Sequence, residues 1–283
     1  MAKDLVLVTG AAGFIGSHIA EAFLGRGYRV RILDDYSTGK ESRIRPFMDK
    51  IEVIEGSVTD RQILKKACAG ARYISHQAAI RSVPKSLDNP HLSNDVNVTG
   101  TLCLLWAAKE AGVEKVVYAS SSSVYGDGKV FPQVETLAPK PVSPYAVSKL
   151  AGELYCRVFA KSFGLPTVSL RYFNVFGPRQ DPESMYSAVI PRFMDQAKRG
   201  EALEVHWDGK QSRDFTYVGD VVNANFLAFE APASANGETF NVASGKSYSL
   251  LDLMRVIEKI LGRKLEKNFG PKRAGDVRKT SAN

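Results

Sequence analysis

The sequence predicts an α/β protein built on a doubly wound parallel sheet, with a smaller mixed α/β part toward its C-terminal end. Three observations carry this. From residue 5 onward, short β-rich runs alternate with helical periods. A glycine-rich segment joins the first run to the first helix, and after about residue 175 the alternation breaks. Parallel strands need long crossover connections, usually helices, so a regular strand–helix rhythm winds into an open sheet covered on both faces.

The runs are Leu5-Val6-Leu7-Val8, Val30-Arg31-Ile32-Leu33, Ile51-Glu52-Val53-Ile54, Tyr73-Ile74-Ser75-His76, Val116-Val117-Tyr118-Ala119 and Thr167-Val168-Ser169-Leu170. Helices are expected after the first run as far as Gly25 or Gly27, over about 94–111, and over 145–164. The loop Gly177-Pro178-Arg179-Gln180-Asp181-Pro182 ends the rhythm. We therefore expect a cofactor-binding domain over 1–175 and a substrate-binding part over 176–283. The latter should hold a helix from Val189 to Lys198, a strand over Phe215 to Val218, and a helix opened by the capping box at Ser249 to Asp252 and closed at Gly262.

With 283 residues, 44% hydrophobic and 24% charged, the chain has ordinary globular composition. Its formal net charge of +8 is scattered, which disfavours a nucleic-acid partner and suits a small phosphate-bearing ligand. Cys68, Cys103 and Cys156 are an odd number in apolar helical patterns, with neither a disulfide framework nor a zinc spacing, so no metal is expected. No signal-peptide core or membrane-length apolar run is present, and a cytoplasmic location is expected.

The segment Gly10-Ala11-Ala12-Gly13-Phe14-Ile15-Gly16 follows the first strand and opens a helix. Glycines there allow a tight turn and let a pyrophosphate approach backbone N–H groups at the helix N-terminus. Asp34 ends the second strand, where a carboxylate accepts from the adenosine ribose hydroxyls and repels a 2′-phosphate. NAD is thus expected over NADP.

Tyr145-Ala146-Val147-Ser148-Lys149 sets a phenol and an ammonium on one helical face. A free phenol titrates near ~10, and a neighbouring ammonium together with a cationic nicotinamide ring lowers it toward neutrality. The serine run Ser120-Ser121-Ser122-Ser123 stands at the C-terminal end of a strand, the edge where open α/β sheets carry ligands.

These features, with His76-Gln77-Ala78-Ala79, Asn97-Val98-Thr99-Gly100, Arg171-Tyr172-Phe173-Asn174, Ser212-Arg213-Asp214-Phe215 and Arg273-Ala274-Gly275-Asp276, resemble the extended short-chain dehydrogenase/reductase family. Within it the chain is most similar to the NAD-dependent UDP-sugar 4-epimerases, over essentially its whole length. The resemblance implies a Rossmann cofactor domain and NAD as cofactor. It also implies Ser121, Tyr145 and Lys149 as catalytic residues.

For the cofactor, the resemblance implies contacts from Gly10, Gly13, Phe14, Ile15, Gly16, Asp34, Asp35, Ser37, Thr38 and Gly39. Further contacts are implied from Ser57, Val58, Gln77, Ala78, Ala79, Asn97, Ser120, Tyr145, Lys149, Tyr172, Asn174 and Val175. Relatives offer an acid to the adenine amine where this chain has Ser57, so that contact is expected from Ser57 or the Val58 backbone. For the substrate it implies Arg81, Ser82, Val83, Ser121, Ser122, Ser123, Tyr145 and Asn174, then Ser187, Val189, Ile190 and Val205. Arg213 and Arg273 would clamp phosphate or ribose, Asp276 would bind the uridine ribose, and Thr280 would lie against carbon 2 of the hexose.

The resemblance also implies a homodimer through the helices over 94–111 and 145–164. Relatives continue past the Arg273 to Asp276 region with a further helix, and this sequence ends at Asn283. The expected reaction is interconversion of UDP-glucose and UDP-galactose, with the N-acetylamino sugars admitted by the small Thr280. Among the alternatives, 4,6-dehydratases carry an Asp-Glu pair where this chain has Ser122 and Ser123, and UDP-glucuronate decarboxylases carry a glutamate at the second position. A non-catalytic NAD-binding regulator is the alternative from another class.

Overall fold

The computed structural model describes residues 4–181, 189–272 and 278–283. Seven strands form the central sheet: β1 (Leu5–Thr9), β2 (Arg29–Asp34), β3 (Glu52–Glu55), β4 (Tyr73–His76), β5 (Lys115–Ser121), β6 (Thr167–Tyr172) and β11 (Glu238–Val242). The shorter strands are β7 (Val175–Phe176), β8 (Leu203–His206), β9 (Ser212–Asp214), β10 (Thr216–Tyr217), β12 (Ser247–Ser249) and β13 (Lys267–Gly270). The helices are α1 (Phe14–Gly25), α2 (Arg61–Cys68), α3 (Val83–Asp88), α4 (Pro90–Asn94), α5 (Gly100–Glu110), α6 (Pro144–Ser162), α7 (Val189–Arg199), α8 (Val218–Glu230) and α9 (Leu250–Leu261).

The central sheet runs β11-β6-β5-β4-β1-β2-β3 and all its pairings are parallel. This is the doubly wound α/β fold expected. Every residue of β1 is buried because helices cover both faces of the sheet. On one face Ile19 and Phe23 of α1 pack with Phe226 and Phe229 of α8. On the other, Leu64 of α2, Leu104 of α5 and Phe159 of α6 pack with Leu7, Ile74 and Val116. The winding reverses between β1 and β4, and such a reversal opens a crevice at the carboxyl ends of the strands.

Local signals set the helix ends. Ser143 caps α6 by accepting from the Ala146 N–H at 3.2 Å, and Pro144 occupies its first position. The capping box of Ser249 and Asp252 opens α9, and Gly262 closes it at φ 66°. α7 runs one residue beyond the expected Lys198.

Three expectations change. The strand over Phe215 to Val218 shrinks to Thr216–Tyr217, because Val218 already begins α8 and Phe215 packs on the apolar cluster around Phe193 and Met254. The helix over 94–111 starts as a π-helical turn, Asp95–Thr99, before α5. The seventh strand, β11, was not foreseen; it returns from the C-terminal third to pair with β6. Its neighbour α8 likewise covers the cofactor-side sheet, so the chain past 175 contributes to both parts.

Candidate active site

The crevice is a cleft with a cavity volume of about 160 Å³. Gly10, Gly13, Phe14, Ile15 and Gly16 form its floor, and Asp34, Asp35, Ser37, Thr38 and Gly39 one wall. Gln77, Ala78, Ala79, Ser120, Tyr145, Lys149 and Tyr172 form the opposite end. The turn needs glycine: a Cβ on Gly16 would stand 2.2 Å from the Gly10 carbonyl oxygen. α1 begins without a side-chain cap, so its first N–H groups face the cleft as an anion seat.

Asp34 is buried and accepts from the Ala12 N–H at 2.7 Å and the Tyr36 N–H at 2.9 Å. Burial pushes its carboxyl up, and these two backbone hydrogen bonds pull it back. A carboxylate has about four lone-pair positions, so two acceptor positions remain toward the cleft. The floor, the bare helix start and this acid fit a dinucleotide.

At the other end, α6 lies directly on β5. A Cβ on Gly152 would fall 2.2 Å from the Tyr118 hydroxyl, so only glycine permits this approach. It brings Lys149, 4% exposed, within 2.9 Å of the Ala119 carbonyl, to which its Nζ donates. Burial lowers the Lys149 ammonium to about 8. The same Nζ stands 6.0 Å from the Tyr145 ring centroid. Burial raises the Tyr145 phenol, while a hydrogen bond with Ser121 and the Arg81 charge lower it. Ser123 in turn donates through its N–H at 3.2 Å and its hydroxyl at 3.0 Å to the Ser121 Oγ. Tyr145 and Lys149 thus meet at this end of the cleft, with Ser121 just behind the lining and joined to it through Tyr145, and Ser122 continues the same turn beyond β5.

Several expected residues lie elsewhere. Ser57 does not line the cleft; its hydroxyl pairs with that of Thr59 at 2.9 Å in the turn before α2, whereas Val58 does line it. Asn97 is buried behind the wall, accepting from the Ile80 N–H at 2.8 Å and donating to the Ser148 Oγ at 3.0 Å, so it braces the cleft and does not face it. Val175 lies outside the cleft wall because β7 pairs it with Thr216. Val205 is 1% exposed inside the cluster of Phe193, Leu203 and Met254, which leaves no face for a ligand. Val189 packs on that cluster, and Ile190 lines a separate apolar cavity of about 660 Å³ between α7 and α9.

Ser82 caps α3 by accepting from the Lys85 N–H at 3.3 Å, and Val83 opens that helix. Asn174, at φ 30°, faces the C-terminal segment: its Nδ2 donates to the Asp214 carbonyl at 3.1 Å and to the Thr280 Oγ1 at 2.9 Å. Arg213 lies on β9, paired across β12 with Tyr248. Ser187, Arg273 and Asp276 lie outside the described residues.

Sequence reasoning missed Arg43, Ile80 and Val96, which line the cleft, and placed Arg81 only with the substrate. Arg43, 7% exposed, donates to the Ala12 carbonyl and the Arg179 carbonyl, each at 3.0 Å. It ends a single 3-10 turn, Glu41–Arg43, too short to show periodicity, so nothing in the sequence marks it.

A dinucleotide cleft at the sheet's reversal point, met by Ser121, Tyr145 and Lys149, defines an NAD-dependent enzyme of the short-chain dehydrogenase/reductase type. Residues 6–243 match the family described as NAD dependent epimerase/dehydratase, and the chain belongs to that family, whose cofactor is NAD. It is 37% identical over 278 residues to the UDP-glucose 4-epimerase of Mycolicibacterium smegmatis, covering 97% of this chain and 88% of that one. Among solved structures, a UDP-N-acetylglucosamine 4-epimerase from Methanobrevibacter ruminantium in complex with UDP-N-acetylmuramic acid superposes with a TM-score of 0.95 at 39% identity, covering 100% of this chain and 90% of that chain. A UDP-glucose 4-epimerase with UDP-glucose from Thermotoga maritima superposes with a TM-score of 0.93 at 36% identity, covering 99% and 89%. Among the described residues, no helix is long and apolar enough to cross a membrane.

Proposed function

We propose that the protein is a UDP-hexose 4-epimerase, interconverting UDP-glucose and UDP-galactose and accepting their N-acetylamino forms. The single observation that carries the reading is the Ser121–Tyr145 pair beside the buried Lys149, with serines, not a carboxylate pair, following Ser121. Removing water across carbons 5 and 6 needs a further acid and base, and the hydroxyls of Ser122 and Ser123 neither release nor take up a proton near neutral pH.

Tyr145 takes the proton of the sugar 4-hydroxyl and returns it after the ketone has turned over. Ser121 holds the same oxygen, donating to it when it is negative. Lys149, as an ammonium, favours the Tyr145 phenolate. Bound NAD supplies a hydride acceptor that also gives the hydride back, so no reductant is consumed. Asp34 holds the adenosine ribose. The grip on the substrate belongs on its diphosphate, to Arg213 and Arg273, whose planar forks each pair two oxygens. Asp276 takes the uridine ribose, and Ser82, Val83 and Ser123 border the sugar. In this reading 1–175 holds the cofactor and 176–283, less the returning α8 and β11, holds the nucleotide sugar.

The test is incubation with UDP-glucose, UDP-galactose and their N-acetylated counterparts without added reductant. Interconversion at carbon 4 supports the reading. A 4-keto-6-deoxy product or release of carbon dioxide replaces it with a dehydratase or decarboxylase, and binding without turnover with a regulator. We further propose a cytoplasmic homodimer through α5 and α6, whose Trp106, Leu154 and Val158 are exposed at 44%, 56% and 46%. A monomer in sedimentation equilibrium excludes the dimer.

A further inference from the structure

Behind the catalytic residues lies a buried ion pair that the reaction outlined above leaves unused. Tyr145, Lys149 and Glu153 follow one another by single turns of α6, so they share one face. The Glu153 carboxylate is gripped twice by Arg171 of β6: Nε donates to Oε1 at 2.9 Å and Nη2 to Oε2 at 2.7 Å. Both side chains are 5% exposed. Ser120 of the cleft wall donates its hydroxyl to the same Oε1, and the Arg171 Nη1 donates to the Tyr125 hydroxyl at 2.8 Å. The end of β5 is therefore bound to α6 by two successive rungs, Lys149 to Ala119 and Ser120 to Glu153, just before Ser121.

The groups around Lys149 make Glu153 distinctive. From β4 it faces His76, which is buried and held near 3, hence neutral. From β5 it faces the Tyr118 ring at 5.1 Å. On α6 it meets Tyr145, the thiol of Cys156, which burial keeps protonated, and Glu153. Arg81 acts on Tyr145 from the cleft. Glu153 is the anion among these.

We propose that Glu153, clamped by Arg171, is a positioning residue for the Tyr145–Lys149 pair: it keeps Lys149 an ammonium inside the protein and, through Ser120, holds Ser121 against Tyr145. This rests on the reading of Tyr145 as base and Lys149 as its electrostatic partner.

The test is an ultraviolet titration of the NAD-loaded protein, with the Tyr145 phenolate taken as the difference between each protein and the same protein carrying Tyr145→Phe. Glu153→Gln keeps the shape and an acceptor for Ser120 but removes the charge. Lys149 then loses its proton at lower pH, and the phenolate is expected to form about one pH unit higher, a tenfold fall at a fixed pH. Glu153→Asp is expected to recover at least half of that shift. Since Glu153→Gln leaves a buried guanidinium unpaired, the double variant Glu153→Gln/Arg171→Met guards against unfolding, and its shift is expected in the same direction and smaller. Titrations of both Glu153→Gln proteins that superimpose on the wild type, with NAD still bound, overturn the proposal, as does an aspartate variant that follows the glutamine one. Lys149→Met separates the two ideas: if it moves the phenolate while Glu153→Gln does not, only the role of Glu153 fails. No substrate is needed, so the result stands apart from which sugar the enzyme turns over.

Discussion

The Thr280 hydroxyl accepts a hydrogen bond from the Asn174 Nδ2 at 2.9 Å, tying the C-terminal segment to the residue that follows β6 and Phe173. The segment is held further by Thr280 N–H donating to the Ser212 carbonyl at 3.1 Å and by Ala282, 2% exposed, packing with Val124, Tyr125 and Phe173. Thr280 therefore has a fixed place, and in the proposed reading its small side chain lies against carbon 2 of the hexose.

Replacing Thr280 with Tyr is accordingly expected to abolish turnover of UDP-N-acetylglucosamine and UDP-N-acetylgalactosamine while sparing UDP-galactose, by steric exclusion. Product analysis of both sugar pairs checks it. An unchanged preference in the variant, or a wild type inert on N-acetylated sugars, removes the gate.

Tyr145→Phe is expected to lower turnover on the order of 10²–10⁴-fold while NAD binding stays nearly intact. In the proposed reaction the phenol is the proton acceptor, whereas the glycine turn and the Asp34 side form the far part of the cleft wall. Initial rates together with bound NAD per chain decide; more than half the wild-type rate would remove Tyr145 from the role.

Asp34→Ser should weaken NAD and relax the discrimination against NADP, because it removes a ribose acceptor and the charge opposing a 2′-phosphate. Parallel titrations with the two cofactors measure this. Equal losses for both would mean that the carboxylate serves only the Ala12 and Tyr36 N–H groups.

Arg43→Ala is expected to weaken NAD about tenfold, the scale of a lost hydrogen bond to a charged group. Arg43 joins the Ala12 carbonyl beside the cleft floor to the Arg179 carbonyl of the loop after β7. Equilibrium dialysis gives the affinity, and an unaltered value would confine Arg43 to joining these two segments.

Folding stability should fall in mild acid through His76. Its ring is buried, pairing with the Thr9 hydroxyl at 2.7 Å and the Thr101 hydroxyl at 3.0 Å, and burial lowers it to about 3. The unfolded chain takes up the proton near ~6.5 and the folded one does not, so stability declines as pH falls below that value until the folded group also titrates. The expected loss between pH 7 and 5 from this group is about 2 kcal/mol. Urea unfolding at the two pH values, with His76→Gln as the comparison, measures it; the same loss in the variant would assign it to other groups.

The sequence by itself determined six of the seven sheet strands, the cofactor and the shared Tyr145–Lys149 face of α6. Each depends on local order: β-branched runs separated by helical periods, glycines spaced for one turn, and a phenol and an ammonium one helical turn apart. The tertiary structure alone decided the rest. Asn97, Ser57 and Val175 belong to motifs that flank the cleft, yet Asn97 and Ser57 commit their side chains to hydrogen bonds beside it, while the Val175 backbone pairs with Thr216 and its side chain packs on the apolar cluster of the sheet face. Arg43 reaches the cleft from the single 3-10 turn Glu41–Arg43, and Glu153 meets Arg171 only because β6 lies beside β5 beneath α6. The same holds for β11, a short exposed-and-buried alternation that becomes a strand because the edge of β6 needs a hydrogen-bonding partner. Residue spacing encodes what neighbours along the chain share, whereas burial, pairing and charge compensation between remote segments exist only once the chain has closed on itself.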